Sequence, residues 1–459
     1  MKLLTRRALV VLVLALIVVA GIFIFAVRYL GEAESWVQHS ANPHLYENGQ
    51  LKAAGTIYDR NGKILLQTAD GVSRYNDNQT VRMALMHAVG DPKGNVVTGA
   101  RVAFRERLSG WNLLKGIYRF NQKLSHFSSD INLTLDADLC AVAYNALKGR
   151  KGTVGVCNYK TGEILCMVST PTFDPQYPPD IEEDPDRYEG VYLNRFLSAA
   201  YTPGSVFKLV TAAAAIENLE NLDSQVYHCD GKTVIDGEIV TCPSAHGDVS
   251  FEEALAKSCN VAFAQITMAL GAERLQQYAD KAGFNSSLAV NGIKTRIGRV
   301  NLAGAKGGSL AWAGIGQYSD TANPLNFLTY IGAIANDGVR MKPRIVKNNL
   351  ISSLAASISG GDRILTAETA GKLETMMRNN VLETYGEGNY SGLQLCAKSG
   401  TAEVGEGKQP HAWFAGYLDR EDCPLAFVVV VENGGGGSRV AGPVARKVLQ
   451  TAVGHYAGE

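Results

Sequence analysis

The stretch Tyr201-Thr202-Pro203-Gly204-Ser205-Val206-Phe207-Lys208-Leu209-Val210-Thr211-Ala212-Ala213-Ala214-Ala215 sets the reading of the whole chain. Pro203 and Gly204 break the backbone, and the alanine-rich run behind Lys208 is a strong helix former, so Ser205 is expected at a helix N-terminus. Backbone N–H groups are unsatisfied there, and the positive end of the helix dipole favours an alkoxide or an oxyanion. Three residues make almost one helical turn, which brings Lys208 beside the Ser205 hydroxyl. Lys208 can then serve as its base if burial or neighbouring positive charge keeps the amine neutral. No other serine of the chain stands three residues before a lysine. In isolation Ser-x-x-Lys usually marks a helix cap and a solvated lysine, so its surroundings decide its meaning.

Downstream, Ser258-Cys259-Asn260 opens a second apolar helix and offers one hydroxyl and one amide to a cleft. Farther on, Lys398-Ser399-Gly400-Thr401 supplies a lysine and two hydroxyls. Each pattern has a double elsewhere. Ser40-Ala41-Asn42 repeats the first and reads as stalk; Lys160-Thr161-Gly162 repeats the second and reads as the turn of a hairpin. That hairpin pairs Thr153-Val154-Gly155-Val156-Cys157 with Ile164-Leu165-Cys166-Met167-Val168. Another is signalled by Asp59-Arg60-Asn61-Gly62 between Thr56-Ile57-Tyr58 and Ile64-Leu65-Leu66. Residues 412 to 417 and 425 to 431 read as buried strands, and Val444, Val448, Leu449 and Ala452 mark one face of a closing helix. Strands at both ends of a helical middle predict an α+β domain whose sheet is assembled from distant pieces. A boundary near residue 130 divides the chain into an anchor (residues 1–30), a membrane-proximal region (31–130) and a main domain (131–459).

The chain has 459 residues, 46% of them hydrophobic, enough for a packed core. Its 44 basic and 44 acidic residues cancel, which removes the field that would gather nucleic acid. Lys2, Arg6 and Arg7 precede an unbroken apolar run from residue 8 to residue 27, about 30 Å as a helix and the thickness of a bilayer core. The basic flank places the amino end in the cytoplasm and the rest outside. Gly31-Glu32-Ala33 makes a poor cleavage site, so the segment is expected to stay as an anchor. Export gives the eight cysteines a compartment that permits disulfides. Cys229 and Cys242 flank an Asp-Gly turn and are expected to pair, contributing about 3 kcal/mol locally. Cys-x-x-Cys and His-x-x-x-His groupings are missing, so no zinc site and no cofactor are expected, and the other six cysteines read as small buried apolar residues.

Ser-x-x-Lys, Ser-x-Asn and Lys-Ser/Thr-Gly, in this order, resemble the signature set of penicillin-binding proteins and serine β-lactamases. The gaps between the motifs are similar to those of class B penicillin-binding proteins. So are the segments Gly55-Thr56-Ile57-Tyr58-Asp59-Arg60-Asn61-Gly62, Thr161-Gly162-Glu163-Ile164-Leu165, Thr170-Pro171-Thr172-Phe173-Asp174-Pro175 and His411-Ala412-Trp413-Phe414-Ala415-Gly416-Tyr417. The resemblance covers nearly all of the chain past the anchor. It implies a mainly antiparallel sheet sandwiched by helices, a helical subdomain, and a small β-rich membrane-proximal domain.

It also implies a peptidoglycan D,D-transpeptidase. Ser205 attacks a D-alanyl-D-alanine stem peptide, Lys208 takes its proton, and Ser258 relays a proton to the departing D-alanine. Asn260 holds the donor amide, Lys398 raises the local positive potential, and Ser399 and Thr401 bind the terminal carboxylate beside Gly400. The N–H groups of Ser205 and Thr401 form the oxyanion hole. β-Lactams acylate the same serine, and a membrane-bound glycosyltransferase is the implied partner. The membrane-proximal region is short for the class, and Ala54 stands where an arginine is usual before Gly55. Trp413 and His411 are read as packing residues. The rival readings are a D,D-carboxypeptidase or β-lactamase, which deliver the acyl group to water, and a non-catalytic cell-wall scaffold.

Overall fold

In a computed structural model the described residues are 2–37, 46–47, 50–51, 54–69, 71–109, 130–347, 361–405 and 407–457. The repeat Ser40-Ala41-Asn42 lies outside them. Helix α1 (Lys2–Val37) carries the apolar run, and its Thr5–Arg28 portion is long and apolar enough to cross a membrane.

The chain forms two compact units that interleave in sequence: Met1–Thr56, Leu66–Arg74 and Phe104–Ile131 in one, and Ile57–Leu65, Tyr75–Ala103 and Asn132–Glu459 in the other. The compact units therefore do not follow a single cut at residue 130. Residues 75–103, read from sequence as membrane-proximal, belong to the larger unit. There, helix α2 (Gln79–Val89) packs on helix α3 (Ala137–Leu147). Both helices start at a side-chain cap, Asn78 and Asp136 respectively. The Asp59 turn also lies in this unit: the Asp59 carboxylate accepts from the N–H groups of Asn61 and Lys63, each at 2.8 Å.

The larger unit is built on a five-stranded antiparallel sheet. Its strands in chain order are β1 (Gly152–Asn158), β2 (Ile164–Thr170), β3 (Leu395–Ala402), β4 (His411–Leu418) and β5 (Leu425–Val431), and their spatial order is β3-β4-β5-β1-β2. The sheet is thus assembled from pieces over 200 residues apart in the chain, as the α+β reading expects. β5 runs Leu425-Ala426-Phe427-Val428-Val429-Val430-Val431, every residue buried, which suits a central strand covered on both faces. Helix α10 (Gly437–Tyr456) and helix α8 (Pro324–Ile334) pack against the sheet.

Between β2 and β3 lies the helical part, with helix α4 (Lys208–Asn218), helix α5 (Phe251–Ala256), helix α6 (Asn260–Leu270), helix α7 (Ala272–Ala282) and helix α9 (Ala367–Asn380). The Asp236-Gly237 turn has the predicted form, with φ of 49° and 86°, joining the paired strands Lys232–Ile235 and Glu238–Thr241.

Candidate active site

Ser205 lies in one tight 3-10 turn, Gly204–Phe207, that feeds directly into α4. The helix start inferred from Pro203 and Gly204 is therefore present, with its first turn overwound. The turn sits against β3. A side-chain carbon on Gly400 would come within 2.7 Å of the Pro203 carbonyl and 3.1 Å of Val206, so only glycine lets strand and turn approach this closely. From the neighbouring position on β4, the Trp413 indole N–H donates to the Thr202 carbonyl at 2.9 Å. Trp413 is fully buried, in keeping with a packing role.

Lys208 and Lys398 are both 0% exposed. Among the described residues neither amine pairs with a carboxylate. Lys208 Nζ donates to the Ser258 carbonyl at 2.6 Å, to Asn260 Oδ1 at 2.8 Å and to Ser258 Oγ at 3.2 Å, and stands 5.4 Å from the centre of the Phe263 ring. Lys398 Nζ donates to the same Ser258 Oγ at 3.0 Å and to the Ser399 carbonyl at 3.1 Å. One hydroxyl therefore bridges two buried amines. Burial brings the Lys208 ammonium down to about 8. Burial, with the neighbouring Lys208 charge adding to it, pushes Lys398 well below the ordinary lysine value. Both amines therefore lose protons more readily than a surface lysine, which a base needs.

Ser258 sits in the turn between α5 and α6 with φ of 52°, a left-handed conformation rare for residues with a Cβ and worth about 1–3 kcal/mol of strain. The N–H groups of Ser258 and Cys259 return to the Leu255 and Ala254 carbonyls at 3.1 and 2.8 Å, which holds the turn. Asn260 Nδ2 donates to the Thr241 carbonyl at 2.8 Å, so its amide oxygen is aimed at Lys208.

On β3, Ser399 and Thr401 alternate with Lys398 and Gly400, as a period of two requires. Thr401 is exposed and its Oγ1 accepts from the Gly437 N–H at 3.2 Å, while the Gln317 side chain donates to the Thr401 carbonyl at 3.2 Å. Ser399 is gripped by Tyr385: its N–H donates to the Tyr385 oxygen at 2.8 Å, and the Tyr385 hydroxyl donates to Ser399 Oγ at 2.9 Å. Tyr385 was not found from sequence. It ends a π-turn, Val381–Tyr385, behind α9, and no motif spacing marks it.

The repeat Lys160-Thr161-Gly162 lies at the β1–β2 turn, with Lys160 and Thr161 exposed. Cys229 and Cys242 are near one another, but all eight cysteines are free thiols in the structure. Cys259 and His246, which the sequence reading did not connect with them, complete a cluster of four.

Residues 152–450 match the family model for the penicillin binding protein transpeptidase domain, and the chain belongs to that family. It is 27% identical over 377 residues to the peptidoglycan D,D-transpeptidase PbpA of Mycolicibacterium smegmatis, covering 73% of this chain and 76% of the relative. The PbpA of Mycobacterium tuberculosis is 29% identical over 66% of this chain and 67% of its own length. The solved D,D-transpeptidase domain of a peptidoglycan glycosyltransferase from Eggerthella lenta superposes with a TM-score of 0.72 at 25% identity, over 88% of this chain and 99% of that one. The ceftriaxone acyl-enzyme complex of penicillin-binding protein A from M. tuberculosis superposes at 0.75 over 88% and 99%, with 23% identity, and shows the shared fold.

Proposed function

We propose that this chain is a peptidoglycan D,D-transpeptidase, acylated on Ser205 by D-alanyl-D-alanine stem peptides and by β-lactams. The observation that carries the assignment is the Ser258 hydroxyl held between two buried amines, at 3.2 and 3.0 Å, one of them Lys208, the residue that directly follows the turn carrying Ser205. A lysine at the surface stays protonated at neutral pH; these two are desolvated and lack a carboxylate partner in their hydrogen bonds, so a neutral amine is accessible.

In the proposed reaction neutral Lys208 removes the Ser205 proton as the hydroxyl attacks the penultimate D-alanine carbonyl. The N–H groups of Ser205 and Thr401 receive the oxyanion. The proton then moves through Ser258 to the leaving D-alanine nitrogen, and an amine from a second stem resolves the ester. The substrate's terminal carboxylate is bound by Ser399 and Thr401. Its negative charge favours the protonated form of Lys398, so substrate binding itself restores the positive potential that burial removes. Asn260 holds the donor amide. Residues 1–30 act as a single-pass anchor with the amino end in the cytoplasm, residues 31–130 form the membrane-proximal region apart from residues 57–65 and 75–103, which belong to the larger unit, and residues 131–459 form the catalytic domain outside. A membrane glycosyltransferase supplies the glycan strands.

Intact-mass measurement of the detergent-solubilised full chain with benzylpenicillin, followed by peptide mapping, tests the assignment. One adduct on the Ser205 peptide, lost in Ser205→Ala, is expected. With nascent glycan as substrate, dimeric stems with released D-alanine are expected. An adduct on another serine overturns the site, and release of D-alanine without dimers assigns a carboxypeptidase instead.

A further inference from the structure

Four side chains that the proposed chemistry does not use converge directly behind Ser258 and Asn260. Cys229, Cys242, His246 and Cys259 place one donor atom each within 4.8 Å of one another. Cys229 Sγ and Cys242 Sγ stand 3.6 and 3.4 Å from His246 Nδ1, and Cys242 Sγ stands 4.0 Å from Cys259 Sγ. A tetrahedral ion with bonds of about 2.3 Å to sulfur and about 2.0 Å to nitrogen needs S···S separations of about 3.8 Å and S···N separations of about 3.5 Å. We infer that these residues form a Cys3His site for a divalent thiophilic cation of the zinc type, and that the ion holds the Ser258-Cys259-Asn260 turn in its working shape.

Local bonding fits a set of thiolates and one neutral imidazole. The Asn260 N–H points to Cys242 Sγ at 3.2 Å, and the Ala262 N–H, in the first turn of α6, points to Cys259 Sγ at 3.4 Å. Such donors stabilise sulfur carrying negative charge. On the ring, His246 Nε2 pairs with Ser244 Oγ at 3.1 Å; with the proton on Nε2, Nδ1 is left as the free lone pair on the side of the sulfurs. Cys229 and Cys259 are buried and the other two half-buried. Four protein ligands complete a tetrahedron and leave no open position, the arrangement of a structural site. Binding exchanges the thiol protons for the cation, so uptake releases protons to solvent.

A Cys229–Cys242 disulfide would use two of the donors and leave Cys259 Sγ and His246 Nδ1 facing the bridge with no role. The cation uses all four. It also ties together three segments that are separate in the chain: the strand Tyr227–Cys229, the strand Glu238–Thr241 with Cys242 just past it, and the turn whose middle residue is Cys259. Ser258 holds a left-handed backbone at this turn, and a metal–sulfur bond on the next residue is a direct restraint against relaxation. Cys259 is therefore a positioning residue. This role rests on the proposed use of Ser258 and Asn260; the metal site does not.

Metal analysis of the full chain, purified in detergent without chelator, tests the site independently of activity. About one equivalent of zinc is expected, with a tetrahedral cobalt spectrum carrying thiolate charge-transfer bands after exchange. His246→Ala and Cys229→Ser should each lower retained zinc at least about tenfold. Stripping the wild-type protein in reductant should slow fluorescent-penicillin labelling of Ser205 at least about fivefold, with recovery on adding zinc alone. Zinc below about a tenth of an equivalent without a thiolate–cobalt spectrum, or a Cys229–Cys242 disulfide in protein taken from the envelope, would overturn the site. Zinc bound at full stoichiometry with labelling unchanged by its removal would overturn the positioning role alone. Loss of Ser205 labelling in zinc-loaded protein would instead count against the catalytic assignment.

Discussion

Lys160-Thr161-Gly162 and Lys398-Ser399-Gly400 are one short pattern in two settings. The first sits on the turn between β1 and β2: Lys160 reaches solvent, 5.5 Å from the Tyr159 ring centre, and Gly162 has φ of +76° with its α-carbon against the Lys342 carbonyl. The second lies inside β3, where Lys398 is fully buried against Ser258 and Gly400 is covered by the turn that carries Ser205. Both glycines are required for close approach, Gly162 to the Lys342 backbone and Gly400 to the Ser205 turn at Pro203, and Gly162 is required for its backbone angle as well. A lysine becomes chemically useful when its strand is covered on the face toward which it points, because desolvation shifts the amine toward the neutral form.

The largest effect expected from this contrast is at the lysines themselves. Lys398→Ala should slow labelling of Ser205 by a fluorescent penicillin by about a hundredfold or more, whereas Lys160→Ala should stay within about twofold. Equal losses at the two positions, read from pseudo-first-order labelling rates, would break the comparison.

The glycines sharpen it. In Gly400→Ala the added carbon meets the Pro203 carbonyl at 2.7 Å, pushes the Ser205 turn away from β3, and should cost about 10- to 100-fold in labelling. Gly162→Ala should leave labelling unchanged but lower stability by more than the cost of a left-handed alanine, about 1–2 kcal/mol, since the added carbon also collides with the Lys342 carbonyl. Thermal denaturation beside labelling separates the two outcomes.

A smaller effect is expected from pH. The base must be unprotonated, and burial brings Lys208 to about 8, so the labelling rate should rise about tenfold per pH unit below that value and level off above it. Lys160→Ala should leave the profile in place. A rate that is flat from about pH 6 to about pH 9 would show that Lys208 is not the base.

Much of the architecture was legible because it depends on local rules. The 20-residue apolar run became α1, the Asp-Gly turn formed with both residues at positive φ, and the alternating or continuous apolar runs became β1, β2, β4 and β5. Order along the chain, with the helix start before Ser205, was enough to choose Lys398 over Lys160. Tyr385 was out of reach: its contact with Ser399 spans 14 residues between a π-turn and a strand, and a tyrosine behind a helix has many uses.

By itself the sequence determined the fold class, the family and the order of the three motifs, because turn chemistry, hydrophobic period and short spacings act within a few residues. Tertiary structure alone decided that Ser258 bridges two amines, that both lysines are desolvated, and that Cys259 faces Cys229, Cys242 and His246. The reason is physical. Burial and ligand convergence are properties of surfaces brought together by folding, and residues 30 or 140 positions apart have no local signal that they will meet. The cysteines show it most directly: linear spacing suggested a pair, and folding supplied four donors around one point.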